Sequence, residues 1–294
     1  MGIKVGVIGL GNMGGAIAEI LSSQYEVVGL DIDESRREAM KAFEIETTDS
    51  LAELAKQAEV IFLSMPRASI SKSIIEEISP MLAKGSTIIE TSTVLPSEVT
   101  EFRSMCWAHG VRLIDAAILG GVGHMKNKQA NLLVGDSDGV VNQIIDILQA
   151  VSAEVQVMGP IGAGMSAKII NNGVAHGVMS IIVEAAALGV KLGIQPEKVY
   201  ELLSGETALL RPLTHRYHER IQNGEYEGGM STRNARKDSM LFLKLAQEND
   251  IPLFSIQAAH SVYEIATGEG YGDLDYAAIA KLWENWSDIN FAKS

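Results

Sequence analysis

The sequence predicts an α/β protein: a doubly wound, largely parallel sheet of Rossmann type, followed by an all-α region. Three observations carry this. Short apolar runs alternate with helical patterns through the first half of the chain, the mark of βαβ units. A G-x-G-x-x-G pattern over residues 9–14 closes the first apolar run and opens the first helical one. Beyond about residue 160 the strand-like runs stop and helical periodicity takes over.

Taken in order, the apolar run before Gly9 is the first strand. Gly9 permits the tight turn off it, Gly11 lets backbone approach a pyrophosphate, and Gly14 lets the new helix pack close to the sheet. Leu10, Asn12 and Met13 complete the turn, and the helix opening there aims unpaired N–H groups and its positive dipole end at phosphates. The second strand, 27–30, ends at Asp31, placed to accept from the ribose hydroxyls of a dinucleotide and to repel a 2′-phosphate. The expected cofactor is therefore NAD, with NADP disfavoured. Arg36 and Arg37 downstream read as solvated charges. Further strands are expected at 60–64, 87–90, 112–115, 131–134 and 156–157, all but the last continuous apolar runs of the kind buried in parallel sheets. Helices are expected at 35–43, 50–56, 70–82 and 96–108. The turn-rich stretch 159–164 breaks one pattern and starts another, so domains are expected at 1–161 and 162–294. Helices in the second are expected at 163–192, 196–204, 235–248 and 255–267.

A formal charge of −13 argues against a nucleic-acid or anionic-membrane surface. Cys106 is the only cysteine, so no internal disulfide can form; it reads as a small buried hydrophobe in a reducing, cytoplasmic setting. The N-terminal apolar run is too short for a signal peptide, and Gly6 stands where a myristoylation pattern needs Ser or Thr. The most apolar stretch, 169–190, contains Asn171, Asn172, His176 and Glu184, and so reads as a buried helix rather than a membrane span. A helix over 163–192 is ~45 Å long at the standard rise. One small helical domain cannot cover that length, which points to a homodimer or homotetramer. His215 and His218 sit among charged residues and read as surface. With no His/Cys/carboxylate cluster at ligand spacing, no metal is expected.

Lys168 and Asn172 lie at i and i+4, one face of the long helix, and can converge on a single ligand. The residues around Lys168 are apolar or uncharged up to Glu184. A lysine so placed can lose water, drop its pKa and exchange a proton with a reacting oxygen; on spacing alone, a surface lysine at a helix start is the plainer reading.

Six segments then occur in a family's order: G-L-G-N-M-G over 9–14, E-T-S-T-V-L-P over 90–96, D-A-A-I-L-G-G over 115–121, G-A-G-M-S-A-K-I-I-N-N over 162–172, R-K-D over 236–238 and G-D-L-D-Y-A-A-I over 272–279. On these the chain resembles the β-hydroxyacid dehydrogenases, the group of 3-hydroxyisobutyrate dehydrogenase and tartronate semialdehyde reductase within the 6-phosphogluconate dehydrogenase superfamily. The resemblance implies an oxidoreductase moving a hydride between a nicotinamide dinucleotide and a small β-hydroxyacid or its semialdehyde. It implies that Lys168 is the acid/base and that Asn172 orients the substrate. It further implies that Met65 and Thr93 line the cofactor cleft, that Lys237 approaches the nicotinamide, and that Gly120 and Gly121 offer N–H groups to the substrate carboxylate.

The chain also departs from that pattern. Ala117, Ile118 and Leu119 stand where the family has Pro-Val-Ser, so the serine that meets the substrate is a leucine. Lys128 stands where glycine is usual and Ala130 where leucine is usual. Leu119 cannot donate a hydrogen bond, and sites built round a substrate oxygen discriminate through such donors; a cation from Arg67, Lys126, Lys128 or Arg211 is expected to replace the lost contact. Two other functions fit the same architecture: imine reduction, and NAD binding without turnover. The Lys-x-x-Asn-Asn signature at 168–172 and Asp31 weigh against the first, and the retained Lys168, Asn172 and Lys237 against the second.

Overall fold

A computed structural model describes residues 3–205 and 209–292. Eight strands form one sheet: β1 (Lys4–Ile8), β2 (Glu26–Leu30), β3 (Glu46–Thr48), β4 (Val60–Leu63), β5 (Thr87–Glu90), β6 (Arg112–Leu119), β7 (Asn131–Gly135) and β8 (Glu154–Gly159). Their order is β3-β2-β1-β4-β5-β6-β7-β8, so the chain walks outward from β1 in one direction and then from β4 in the other. The β1/β4 junction is the switch point where such sheets bind ligands.

Helices α1 (Asn12–Ser22), α2 (Glu34–Met40), α3 (Leu51–Gln57), α4 (Ala68–Ile78), α5 (Pro96–Trp107), α6 (Val122–Lys126) and α7 (Val141–Val151) connect the strands. Side-chain alternation gives the sheet two cores. Val5, Val7, Ile89 and Ile114 face one layer with Ile17, Leu21 and Leu148. Ile8, Ile88 and Leu113 face the other with Ile75, Val99 and Phe102.

Neighbouring strands are parallel except β6 and β7, which are antiparallel. The alternation of runs predicts no such reversal. Its cause is the short connection, residues 120–130, which holds only α6; a parallel crossover needs a dozen or more residues. Strand β6 also runs on past Asp115 to Leu119, beyond its expected end at 115. Several elements here carry no sequence prediction: β3, three polar residues at the sheet edge; α6; α7; and α12 (Ala280–Ser287).

After the sheet come α8 (Ala163–Lys191), α9 (Pro196–Leu203), α10 (Thr232–Glu248) and α11 (Phe254–Ala266), with α12 last. Helix α10 starts ahead of its expected residue 235 because the Ser231 side chain caps it, accepting from the Asn234 N–H. The chain divides into two compact units, 1–172 and 173–294, the division falling within α8. Strand patterns end at 161/162, but the first turns of α8 belong with the sheet because the Gly162 and Met165 N–H groups are bound by Asp115 of β6.

In the second unit, Ser239 of α10 bonds His260 of α11 at 2.8 Å, and Arg236 pairs with Glu264 at 3.1 Å. The Glu184 carboxylate accepts the Phe254, Ser255 and Ile256 N–H groups that open α11. Asp275, fully buried, meets the Arg216 and Arg220 guanidinium groups at 3.1 and 3.5 Å and accepts the Ala277 N–H. The last shared motif is thus an internal tie of this unit.

The expectation of a buried long helix does not hold for the single chain. Ile170, Val174, Met179 and Val183 of α8 are all more than half exposed. By length and composition alone α8 could cross a membrane.

Candidate active site

The switch point holds a cavity of about 390 Å³, walled by Gly9, Gly11, Asn12 and Met13 after β1, Asp31 and Arg36 after β2, and Ser64, Met65 and Pro66 after β4. Gly9 sits at φ +91°, and a Cβ there would fall 2.3 Å from the Ser64 carbonyl oxygen. A Cβ at Gly14 would fall 1.8 Å from the Gly9 oxygen, so both glycines are required by close approach. Gly11 caps α1 without a side-chain bond, which leaves the first N–H groups of that helix free for an anion.

Asp31 is buried, with both oxygens engaged: Oδ2 accepts the Leu10 N–H at 2.8 Å and Oδ1 the Asp33 N–H at 2.9 Å. Leu10 therefore spends its N–H on Asp31, while its side chain lies in the sheet core. The two arginines are engaged rather than free, although Arg36 remains exposed as expected. Arg36 lines the cavity with its Nη1 3.3 Å from Asp31 Oδ2, and Arg37 donates to the Asp31 carbonyl at 2.7 Å.

Met65 lies in the wall, whereas Thr93 is exposed on the loop after β5 and lines no part of that cavity. The buried neighbour Ser92 is the residue that reaches the wall, accepting the Met65 N–H at 2.7 Å.

Helix α8 is anchored by Asp115. Its carboxylate, fully buried, accepts the Gly162 N–H at 2.7 Å on Oδ1 and the Met165 N–H at 2.8 Å on Oδ2. Glycine at 135 and 164 makes the room, since a Cβ there would fall 2.2 and 2.9 Å from those oxygens. Burial raises the Asp115 pKa against the pull of these N–H groups. Sequence reasoning saw this aspartate only as part of a motif; an Asp ending an apolar run and a G-x-G opening a helix are the two halves of one contact.

Lys168 follows on the same helix, half-buried, with no hydrogen bond or ion pair among the described residues. Burial lowers its pKa, as a proton-exchanging lysine requires. Asn172, also half-buried, shares its face, and its Oδ1 lies 3.5 Å from Asn171 Nδ2. Beyond Leu119, at the end of β6, Gly120 takes φ +132° and Gly121 precedes α6.

Lys128 sits at φ +53°, a left-handed position that explains why glycine would suit it. Ala130 packs against Gly120, 3.2 Å from where a Cβ would stand. Of the four candidate cations, Lys126 is paired with Glu19 at 2.7 Å, and Arg211 faces Tyr276 in the second unit. The Arg67 and Lys128 side chains are exposed, with no such partner among the described residues. Lys237, in the second unit, is exposed and pairs with Asp238 at 3.2 Å.

Cys106 is buried, its thiol pushed up to about 11 by burial, as a small core residue. His215 and His218 bond Glu219 and Gln222 one turn on. No group of three metal-ligating residues occurs among the described residues.

Residues 4–162 match the family described as the NAD-binding domain of 6-phosphogluconate dehydrogenase, and 162–283 the NAD-binding domain of NADP-dependent 3-hydroxyisobutyrate dehydrogenase. The 2-(hydroxymethyl)glutarate dehydrogenase of Eubacterium barkeri is 27% identical over 292 residues, covering 98% of this chain and 97% of its own. The 3-hydroxyisobutyrate dehydrogenase of Mycobacterium tuberculosis, solved with L-serine, superposes with a TM-score of 0.67 at 22% identity, covering 96% and 99%. A V8 variant of the imine reductase from Myxococcus stipitatus, solved with NAD+, gives 0.89 at 18% identity over 96% and 99%, and that organism's imine reductase is also solved with NADP+. Those two likenesses speak to the fold, while the family matches span nearly the whole chain. The chain belongs to the β-hydroxyacid dehydrogenase family and is an NAD(P)-dependent oxidoreductase.

Proposed function

We propose that this protein interconverts a small β-hydroxyacid and its semialdehyde with NAD(H), using Lys168 as the acid/base. The observation that carries the reading is Lys168 itself: half-buried, without a hydrogen bond or ion pair among the described residues, its pKa lowered by burial, on a helix anchored to the sheet by Asp115. A bound nicotinamide supplies or takes the hydride. Lys168 takes the hydroxyl proton in oxidation and returns it in reduction, and Asn172 on the same face orients that oxygen. Gly120 and Gly121 offer N–H groups to the substrate carboxylate. Preference for NAD follows from the buried Asp31 carboxylate, with Arg36 held in its ion pair rather than free for a phosphate.

Leu119 removes a hydroxyl contact, and Arg67 and Lys128 are the candidate cations left without a partner among the described residues. This favours a substrate with a second carboxylate, the feature that separates 2-(hydroxymethyl)glutarate, named for the Eubacterium barkeri relative, from 3-hydroxyisobutyrate. A homodimer or homotetramer in the cytoplasm completes the reading, a second copy covering the apolar face of α8. Light scattering without detergent tests this, and a single monomeric species at micromolar concentration contradicts it.

The test of function is a panel followed by dinucleotide absorbance: both hydroxyacids with NAD and NADP, and the semialdehydes and a cyclic imine with NADH and NADPH. Hydroxyacid turnover with NAD, abolished in Lys168→Ala, supports the proposal. Turnover of the imine alone identifies an imine reductase, and dinucleotide binding without turnover identifies a silent binder.

A further inference from the structure

Glu90 ends β5, fully buried, in register with Leu63 of β4 on one side and Asp115 of β6 on the other. Register partners in a sheet share a face, so two carboxyl groups stand side by side inside the first unit. Asp115 is engaged with α8. Glu90 is tied to the loop after its own strand: Oε1 accepts the Ser92 N–H at 2.7 Å, while Oε2 is buried with no hydrogen-bond partner among the described residues. Ser92 accepts the Met65 N–H on its Oγ, and the Ser71 hydroxyl of α4 lies 3.5 Å from that oxygen. Met65 in turn packs its terminal methyl against Gly9 in the cavity wall. A line of contacts thus runs from a buried carboxyl group to the glycine turn, and nothing in the proton exchange by Lys168 uses it.

We propose that Glu90 is a positioning residue for the cavity wall, holding Ser92 and through it Met65 in place, and that its protonation is linked to dinucleotide binding. The inference rests on the reading of this cavity as the dinucleotide site. Ser92 can accept from Met65 while donating its own proton to an ionised Glu90. A protonated Glu90 is itself a donor and turns to the Ser92 and Ser71 hydroxyls, competing with the Met65 N–H for the Ser92 oxygen. The ionised form therefore holds the wall better.

The titratable groups that face Glu90 are Asp115 from β6 and the Cys106 thiol from α5; α4 presents Ser71 and β4 presents Leu63. Burial first, with Asp115 adding to it, pushes the Glu90 pKa up to about 7 against the serine hydrogen bonds.

The experiment is NADH titration by fluorescence from about pH 6 to pH 8.5, on the wild type, Glu90→Gln and Ser92→Ala, each checked for folding by circular dichroism. Linkage predicts that wild-type Kd falls about threefold or more as pH rises through a single transition near neutrality. Glu90→Gln is expected to flatten that curve, and Ser92→Ala to weaken binding and flatten it as well. Should Glu90→Gln not fold, Ser92→Ala decides. A flat wild-type curve, or a transition that survives both substitutions, overturns the inference. Absence of NADH and NADPH binding at every pH is a separate result, which overturns the dinucleotide-site reading beneath it.

Discussion

Asp115 in the first unit and Glu184 in the second do the same mechanical job with opposite electrostatic outcomes. Each reaches far along the sequence to hold the N–H groups opening a helix: Asp115 those of α8, Glu184 those of α11. Burial opposes ionisation in both. At Glu184 three backbone N–H groups outweigh it and the pKa falls; at Asp115, fully buried and walled in by glycines, burial wins over its own N–H donors and the pKa rises. How deeply a carboxylate is buried, set against the hydrogen bonds it keeps, decides whether it gains or loses by being ionised. In the first unit burial works against the Asp115 carboxylate; in the second the helix N–H groups favour Glu184 as an ion.

The largest expected break in that comparison is Asp115→Ala. It strips α8 of two charge-assisted bonds and is expected to cost about 3–5 kcal/mol, read as a fall in denaturation midpoint, with loss of turnover because Lys168 rides on that helix. A midpoint within error of wild type would show that the glycines alone seat α8.

Next comes Glu90→Gln. The folded pKa of Glu90, about 7 against an ordinary 4.5, means its contribution is fully present below 4.5 and is lost as pH rises through 7. Compared with Glu90→Gln, the wild type should therefore lose up to about 3 kcal/mol across that window. Parallel stability curves for the two proteins from pH 4 to pH 8 would contradict this.

Glu184→Gln should behave in the opposite sense. Its lowered pKa makes the carboxylate's contribution present above 4.5 and lost as pH falls through the folded value. The substitution is expected to cost about 1 kcal/mol at neutral pH, and the gap to wild type should close in acid. A gap that widens in acid would reverse the assignment.

The smallest effect is at Lys128, whose left-handed backbone strains any residue with a Cβ. Lys128→Gly should leave thermal stability unchanged or raise it by under ~1 kcal/mol. If the same substitution also raises KM for a diacid but not for a monoacid, Lys128 is the substrate's cation; if KM stays level, Arg67 is the one left to test.

Much of this was legible in the residues. The glycine turn, Asp31 and most of the central strands follow from apolar runs and close-approach glycines, which are local signals, whereas Met65 comes only from the family resemblance. The apolar spacing of Val141, Ile144, Ile145 and Leu148 in α7 was equally legible though unassigned. What local pattern could not carry was pairing over distance. That Asp115 closes on Gly162 and Met165 and that Ser92 rather than Thr93 supports the wall depend on where the chain returns. The antiparallel turn of β7 was hidden for a simpler reason, since a run of apolar residues reads the same in either direction.

The most direct test of the central claim is the pH dependence of NAD-linked hydroxyacid oxidation in the wild type and Lys168→Ala. A lysine whose pKa burial has lowered predicts a rate that climbs with pH as Lys168 loses its proton, and a fall of ~10²–10⁴ in kcat in the variant with dinucleotide affinity retained. A variant that keeps its rate, or loses it only by releasing the dinucleotide, would contradict Lys168 as the acid/base.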